Sequence, residues 1–160
     1  MSESGCGECG FAWDVSFDEA VAIVGAAPRW FAKAFDGDRF AVPAAGVWSA
    51  TAYLWHVVDV LRLGTERFLI LTLDPHCGIA PWDADEMAAA RSYEMKSSIV
   101  GLRMLTAATA EWLDAARATP RYVSAVHPEF GTMDALFCAV RNAHEVVHHV
   151  MDIRRQRIAP

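Results

Sequence analysis

Apolar residues recur at helical spacing along four long stretches of the chain. Ser16-Phe17-Asp18-Glu19 has the S-x-x-E spacing of a capping box ahead of the apolar run from Ala20 to Ala27, which predicts a first helix over 16–35, with Pro28 kinking or restarting it. Ser49 is placed to cap a second helix over 49–73, where Tyr53, His56, Val57, Val60, Gly64 and Phe68 follow the 3, 4, 7 spacing of one buried stripe. A third helix over 97–118 carries Leu102, Leu105, Ala108, Trp112 and Ala116 at the same period, with Pro120 just beyond its end. Thr132 is the expected cap of a fourth, over 132–155, and Asp83 that of a short turn from Glu86 to Arg91. Asp36 to Val47, with Gly37, Pro43 and Gly46, reads as a loop, as do Asp74 to Asp83 and Arg121 to Gly131. No alternating β-branched run flanked by a tight-turn dipeptide is present, so no strand is expected. The pattern predicts an all-α fold: a four-helix bundle over residues 16–160, preceded by a short segment, 1–15, with loops long enough to shape a pocket at the bundle end.

Composition narrows the picture. The 160 residues suit one domain, and 54% hydrophobic against 21% charged residues supply a core. The net charge is -6, with no basic cluster before Arg154, Arg155 and Arg157, which argues against a nucleic-acid partner. Asp59, Arg62 and Glu66, then Arg103 and Glu111, interrupt the most apolar segments, so no membrane span is expected. Met1 to Gly10 lacks the basic and apolar regions of a secretory signal, and a cytoplasmic protein is expected. So apolar a chain is also expected to form a homodimer through a helix face. Lys33 and Lys96 are the two lysines among 14 basic residues, a bias that, with the abundant alanine, suggests a GC-rich genome. In a cytoplasmic setting, Cys6, Cys9, Cys77 and Cys138 are read as free thiols or ligands rather than a disulfide framework.

Candidate chemistry concentrates in Asn142-Ala143-His144-Glu145-Val146-Val147-His148-His149. On a helical wheel His144 and His148 lie about 40° apart, whereas His149 is turned about 140° from His144. Leu136, Val140, Val147 and Met151 share the face of His144 and His148, so both imidazoles are expected to point into the bundle, with Glu145, His149, Asp152 and Gln156 on a more polar side. Together with His56 they offer three nitrogens to one divalent metal, zinc or nickel, leaving a position open for a reactant. Taken alone, His56 also reads as a hydrogen-bonded core residue. Burying three imidazoles without a shared purpose is costlier, because each needs partners.

Cys6-Gly7-Glu8-Cys9-Gly10-Phe11 has the C-x-x-C-G form of a zinc knuckle, which is half a site. It could close a structural Cys2His2 site with two of the histidines, act as a redox dithiol, or be a free tail. Asp59, three residues after His56, is a candidate hydrogen-bond acceptor for a ligand imidazole, or else a surface partner of Arg62 or Arg67. Glu145 reads as solvated or as a base near the metal, and His76, Cys77 and His127 as loop residues at a pocket rim without an assigned role. Trp48, Trp55, Trp82 and Trp112 read as packing.

Trp48-Ser49 opening a helix that carries Tyr53-Leu54-Trp55-His56-Val57-Val58-Asp59, followed by a last helix with His144-Glu145-x-x-His148-His149, resembles the DinB-like superfamily of four-helix metalloproteins. The resemblance covers about residues 16–157. It includes bacterial thiol-dependent transferases and mycothiol-dependent maleylpyruvate isomerase. Where the family commonly has His-His-Arg-Gly-Gln, this chain has His148-His149-Val150-Met151-Asp152. The resemblance implies a divalent metal on His56, His144 and His148 and chemistry on a low-molecular-weight thiol. Two functions follow as expectations. One is a metal-dependent S-transferase or isomerase acting on a small-molecule substrate, with mycothiol as the candidate thiol. The other is a non-catalytic metalloprotein, a binding or stress-response module, in which Cys6 and Cys9 close a structural zinc site.

Overall fold

The computed structural model describes residues 5–36 and 40–158. Gly37, expected in the first loop, lies outside these, as do residues 1–4. Four long helices form the bundle: α1 (Phe17–Phe35), α2 (Ala50–Leu73), α4 (Ser98–Ala118) and α5 (Ala135–Arg155). Between α2 and α4 lie a short α3 (Ala84–Ala90) and a single 3-10 turn, Tyr93–Met95. Each cap is a side-chain oxygen accepting from a backbone N–H of the first turn. Ser16 forms a full capping box with Glu19, and Ser49, Asp83 and Ser97 cap α2, α3 and α4.

Three expectations about the elements change, the absence of strands among them. α1 passes through Pro28 without restarting, because Ala20, Val24, Ala27, Phe31 and Ala34 hold both of its halves in the core. The cap of α5 is Asp134 rather than Thr132, which belongs to a strand. That strand, β2 (Gly131–Asp134), pairs antiparallel with β1 (Ser124–His127), pairing Ala125 with Met133. Pro128, Glu129 and Phe130 make the turn, and Gly131 closes it at φ 70°. The hairpin is held by the burial of Ala125, His127 and Met133, not by any run of β-branched residues.

α4 and α5 each pack on both α1 and α2, so α1 lies diagonal to α2 and α4 diagonal to α5. α5 therefore faces α2 on one flank and α1, with the N-terminal segment, on the other. In the core, Trp112 Nε1 donates to Asn142 Oδ1 at 2.7 Å across α4 and α5, directly over Gly64 of α2. No helix among the described residues is long and apolar enough to cross a membrane.

Candidate metal centre

The buried stripe of α5 runs through Ala139, Ala143, Val146, Val150 and Ile153. Its histidines flank that stripe instead of heading it. Of the residues expected beside His144 and His148 on the inward face, Val140 is buried, Val147 and Met151 are half-buried, and Leu136 is 45% exposed.

On the α2 flank, Glu145 and His149 meet His56. Glu145 Oε2 lies 3.2 Å from His56 Nε2 and 3.1 Å from His149 Nε2. One donor atom from each of the three lies within 4.8 Å of the others. On the opposite flank, His144 and His148 face the N-terminal segment, and one donor atom each from Cys6, Cys9, His144 and His148 are gathered within the same limit. The structure thus does not bring His56 together with His144 and His148. The reason is the 100° advance per residue: successive residues of α5 turn to different neighbours, and α2 presents His56 to the flank of Glu145 and His149. The wheel's separation of His149 from His144 and His148 left His149 out of the expected set, yet it is His149 that the structure groups with His56, because the wheel gave no means of knowing which flank faces α2.

Glu145, read from the sequence as pointing away, is central. Its Oε1 lies 3.5 Å from His144 Nδ1 while Oε2 serves His56 and His149. Burial alone would raise its pKa, but the three histidines hold the carboxyl far below the usual range. His149 stands between two carboxylates, with Asp152 Oδ2 at 2.9 Å from Nδ1. Burial pulls its pKa down and the bonds to Asp152 and Glu145 more than reverse that, so it stands above the ordinary histidine value. For His56 burial wins over Glu145, and the neutral ring is favoured. Asp152 also reaches toward His148 Nε2, at 3.6 Å.

Asp59 does not serve His56. It is buried and accepts from the Tyr93 hydroxyl, with Arg91 Nε at 3.1 Å and Arg62 Nη1 at 3.3 Å. His56 Nδ1 has no hydrogen-bond partner among the described residues. Its ring instead lies between Trp82, stacked at 5.4 Å, and Trp48 at 5.1 Å. Both tryptophans line a cavity of about 330 Å³ that His56, Glu145 and His149 also border. Its walls further include Arg67, His127 and Arg141; His76 and Cys77 are exposed and do not line it.

A DinB superfamily model matches residues 27–153 of the chain. A solved structure, YfiT from Bacillus subtilis, described as a probable metal-dependent hydrolase with an unusual four-helix bundle topology, is similar at a TM-score of 0.71 and 18% identity, covering 87% of this chain and 86% of that one. A comparison with curated proteins returns no match.

Proposed function

The chain belongs to the DinB superfamily, and from that premise we propose that it is a metal-dependent enzyme. In this reading His56, Glu145 and His149 hold a divalent metal, and a low-molecular-weight thiol is transferred to, or isomerises, a small electrophile in the adjoining cavity. The observation that carries the reading is that these three donors meet on a cavity wall, with no fourth His, Cys, Asp or Glu in their set among the described residues. Three protein ligands leave a position for a reactant, whereas structural sites fill all four. Two imidazoles and a carboxylate suit zinc or nickel, and when bound such a metal lowers the pKa of a thiol or water and polarises a carbonyl.

The chain's own groups prepare the site. Asp152 accepts from His149 Nδ1, which leaves Nε2 as the ligand atom and fixes the ring. Trp48 and Trp82 cover His56 and reduce its access to water, and a less polar surround strengthens the attraction between a cation and an anionic reactant. Among the other residues lining the cavity, Arg67 Nε and His127 Nε2 are buried without hydrogen-bond partners among the described residues. A carboxylate on the electrophile would accept from these donors and from Arg141.

Mycothiol is the candidate thiol, given the composition typical of a GC-rich genome. The description of the Bacillus subtilis neighbour supports metal dependence and makes water the competing reactant. The closed Cys/His site of the non-catalytic reading has its donors in Cys6, Cys9, His144 and His148; what supports an enzyme is that His56, Glu145 and His149 form a separate set with no cysteine in it. The test is to load metal-free protein with zinc or nickel and follow consumption of thiol against a panel of carboxylated electrophiles. Turnover is expected with one of these metals. In His56→Ala and His149→Ala it should fall by more than the roughly 10–100-fold that losing an outer-shell partner costs. Equal turnover in those variants, or none with any thiol, overturns the reading; hydrolysis without thiol consumption assigns water as the reactant.

A further inference from the structure

The chemistry above leaves Cys6, Cys9, His144 and His148 without a role. We propose that these four residues bind a second, structural zinc ion, which clamps the N-terminal segment onto α5. The inference goes beyond the enzymatic reading and does not depend on it.

Two sulfurs and two nitrogens within 4.8 Å are a full tetrahedral set, with every position filled by protein. The backbone around the cysteines is shaped for this. Cys6 N–H donates to Phe11 O and Gly10 N–H to Cys6 O, both at 2.8 Å, and Gly10 turns the chain at φ 72°. The backbone N–H groups of Cys9 and Glu8 point at the Cys6 sulfur and that of Phe11 at the Cys9 sulfur. Gly5 bridges Ala12 across the turn, closing a knuckle.

The histidines present the matching halves. His148 Nδ1 faces Cys6 Sγ at 3.7 Å, while its Nε2 lies 3.5 Å from Glu8 Oε2 and 3.6 Å from Asp152 Oδ2. Both carboxylates thus stand near the nitrogen that does not face Cys6, the side from which an outer partner orients a ligating imidazole. In His144, Nδ1 lies toward Glu145, and Nε2 is buried with no partner among the described residues. An orphaned buried nitrogen carries a cost that a metal would remove.

The clamp also explains why a stretch outside the bundle is held in place. Phe11 is buried, and Trp13 packs on His144 with ring centroids 4.6 Å apart, yet residues 5–16 have no long helix or sheet of their own. Zinc binding displaces the protons of both thiols and fixes both ends of the turn to α5.

The full chain is loaded with zinc, or with cobalt(II) as a spectroscopic probe. Expected are an intense thiolate-to-cobalt charge-transfer band in the wild type, and its loss with one equivalent of metal in Cys6→Ser/Cys9→Ser. In the wild-type zinc form Cys6 and Cys9 should resist alkylation until a chelator is added, while exposed Cys77 reacts throughout. This readout needs no variant to fold. His56→Ala/His149→Ala should keep the band, which separates failure of the clamp from failure of the enzymatic reading. No band in the cobalt protein, unchanged metal content in the cysteine variant, or a Cys6–Cys9 disulfide in freshly isolated zinc-free protein overturns the proposal.

Discussion

Gly64→Ala tests whether the bundle core sets the position of the metal-bearing helix. A Cβ at residue 64 would lie 2.1 Å from Asn142 Oδ1 and 2.6 Å from Trp112 Nε1, so it cannot coexist with the 2.7 Å hydrogen bond between them. Both side chains are buried. Asn142 must rotate away or α2 and α5 must separate. Overpacking of this kind costs about 1–3 kcal/mol, and unpairing two buried polar groups costs about 1–3 kcal/mol more. The better helix propensity of alanine returns about 1 kcal/mol. A net loss of about 3 kcal/mol corresponds to a melting temperature lower by about 6–12 °C for a chain of this length. Because Asn142 lies one helical turn before Glu145, metal affinity at His56, Glu145 and His149 should fall as well. Urea and thermal melts of Gly64→Ala, alone and in an Asn142→Ala background, give the coupling. With the hydrogen bond already gone and the 2.1 Å contact removed, Gly64→Ala should cost at least about 1 kcal/mol less in that background. Equal costs in both backgrounds, or an unchanged wild-type melt, would refute the reasoning.

Tyr93→Phe removes the hydroxyl that donates to buried Asp59 and leaves that carboxylate to Arg62 and Arg91, so a urea melt should show a loss of about 1–3 kcal/mol. In metal-stripped protein, alkylation of Cys6 should rise through about pH 6, because the Cys9 backbone N–H and the His144 ring pull its thiol down from 9.0. Burial raises Cys9, which should be labelled at higher pH than Cys6, and pushes Cys138 to about 12, so Cys138 should stay unlabelled at pH 9. Peptide mapping after labelling across this range checks the order.

The helices were legible because caps and apolar stripes are local signals: Ser16, Ser49, Asp83 and Ser97 each act within three residues of themselves. The hairpin was not, since four-residue strands hold by burial of Ala125, His127 and Met133 against parts of the chain that the local pattern does not name. The site was legible as a partial inventory and not as a grouping. His56, His144, His148, Cys6 and Cys9 all belong to donor sets, but the helical angle that set His149 apart from His144 and His148 also left it, with Glu145, out of the expected metal set. Which flank of α5 meets α2 depends on the diagonal placement of α1 and α2, a long-range property. That one fact turned Glu145 and His149 from a polar edge into partners of His56. The signal available was the i, i+4 spacing of Glu145 and His149, the same spacing that drew attention to His144 and His148.

Interleaving two donor sets on one stretch of helix has a consequence for Asp152. It accepts from His149 Nδ1 at 2.9 Å and stands 3.6 Å from His148 Nε2, so one carboxylate backs a histidine of each set. Asp152→Asn keeps the shape and removes the charge. Without the anion, His149 donates less electron density through Nε2, and loss of an outer partner of this kind weakens metal affinity by about 10–100-fold. The closer contact to His149 makes the larger effect fall on the set with His56, and the longer one to His148, shared with Glu8, makes the smaller effect fall on the set with the cysteines. Competition with a chromophoric chelator resolves the two, because only the cysteine set gives cobalt a thiolate band. Weakening confined to the cysteine set, or unchanged affinity at both, would show that Asp152 backs neither histidine in the way the distances imply.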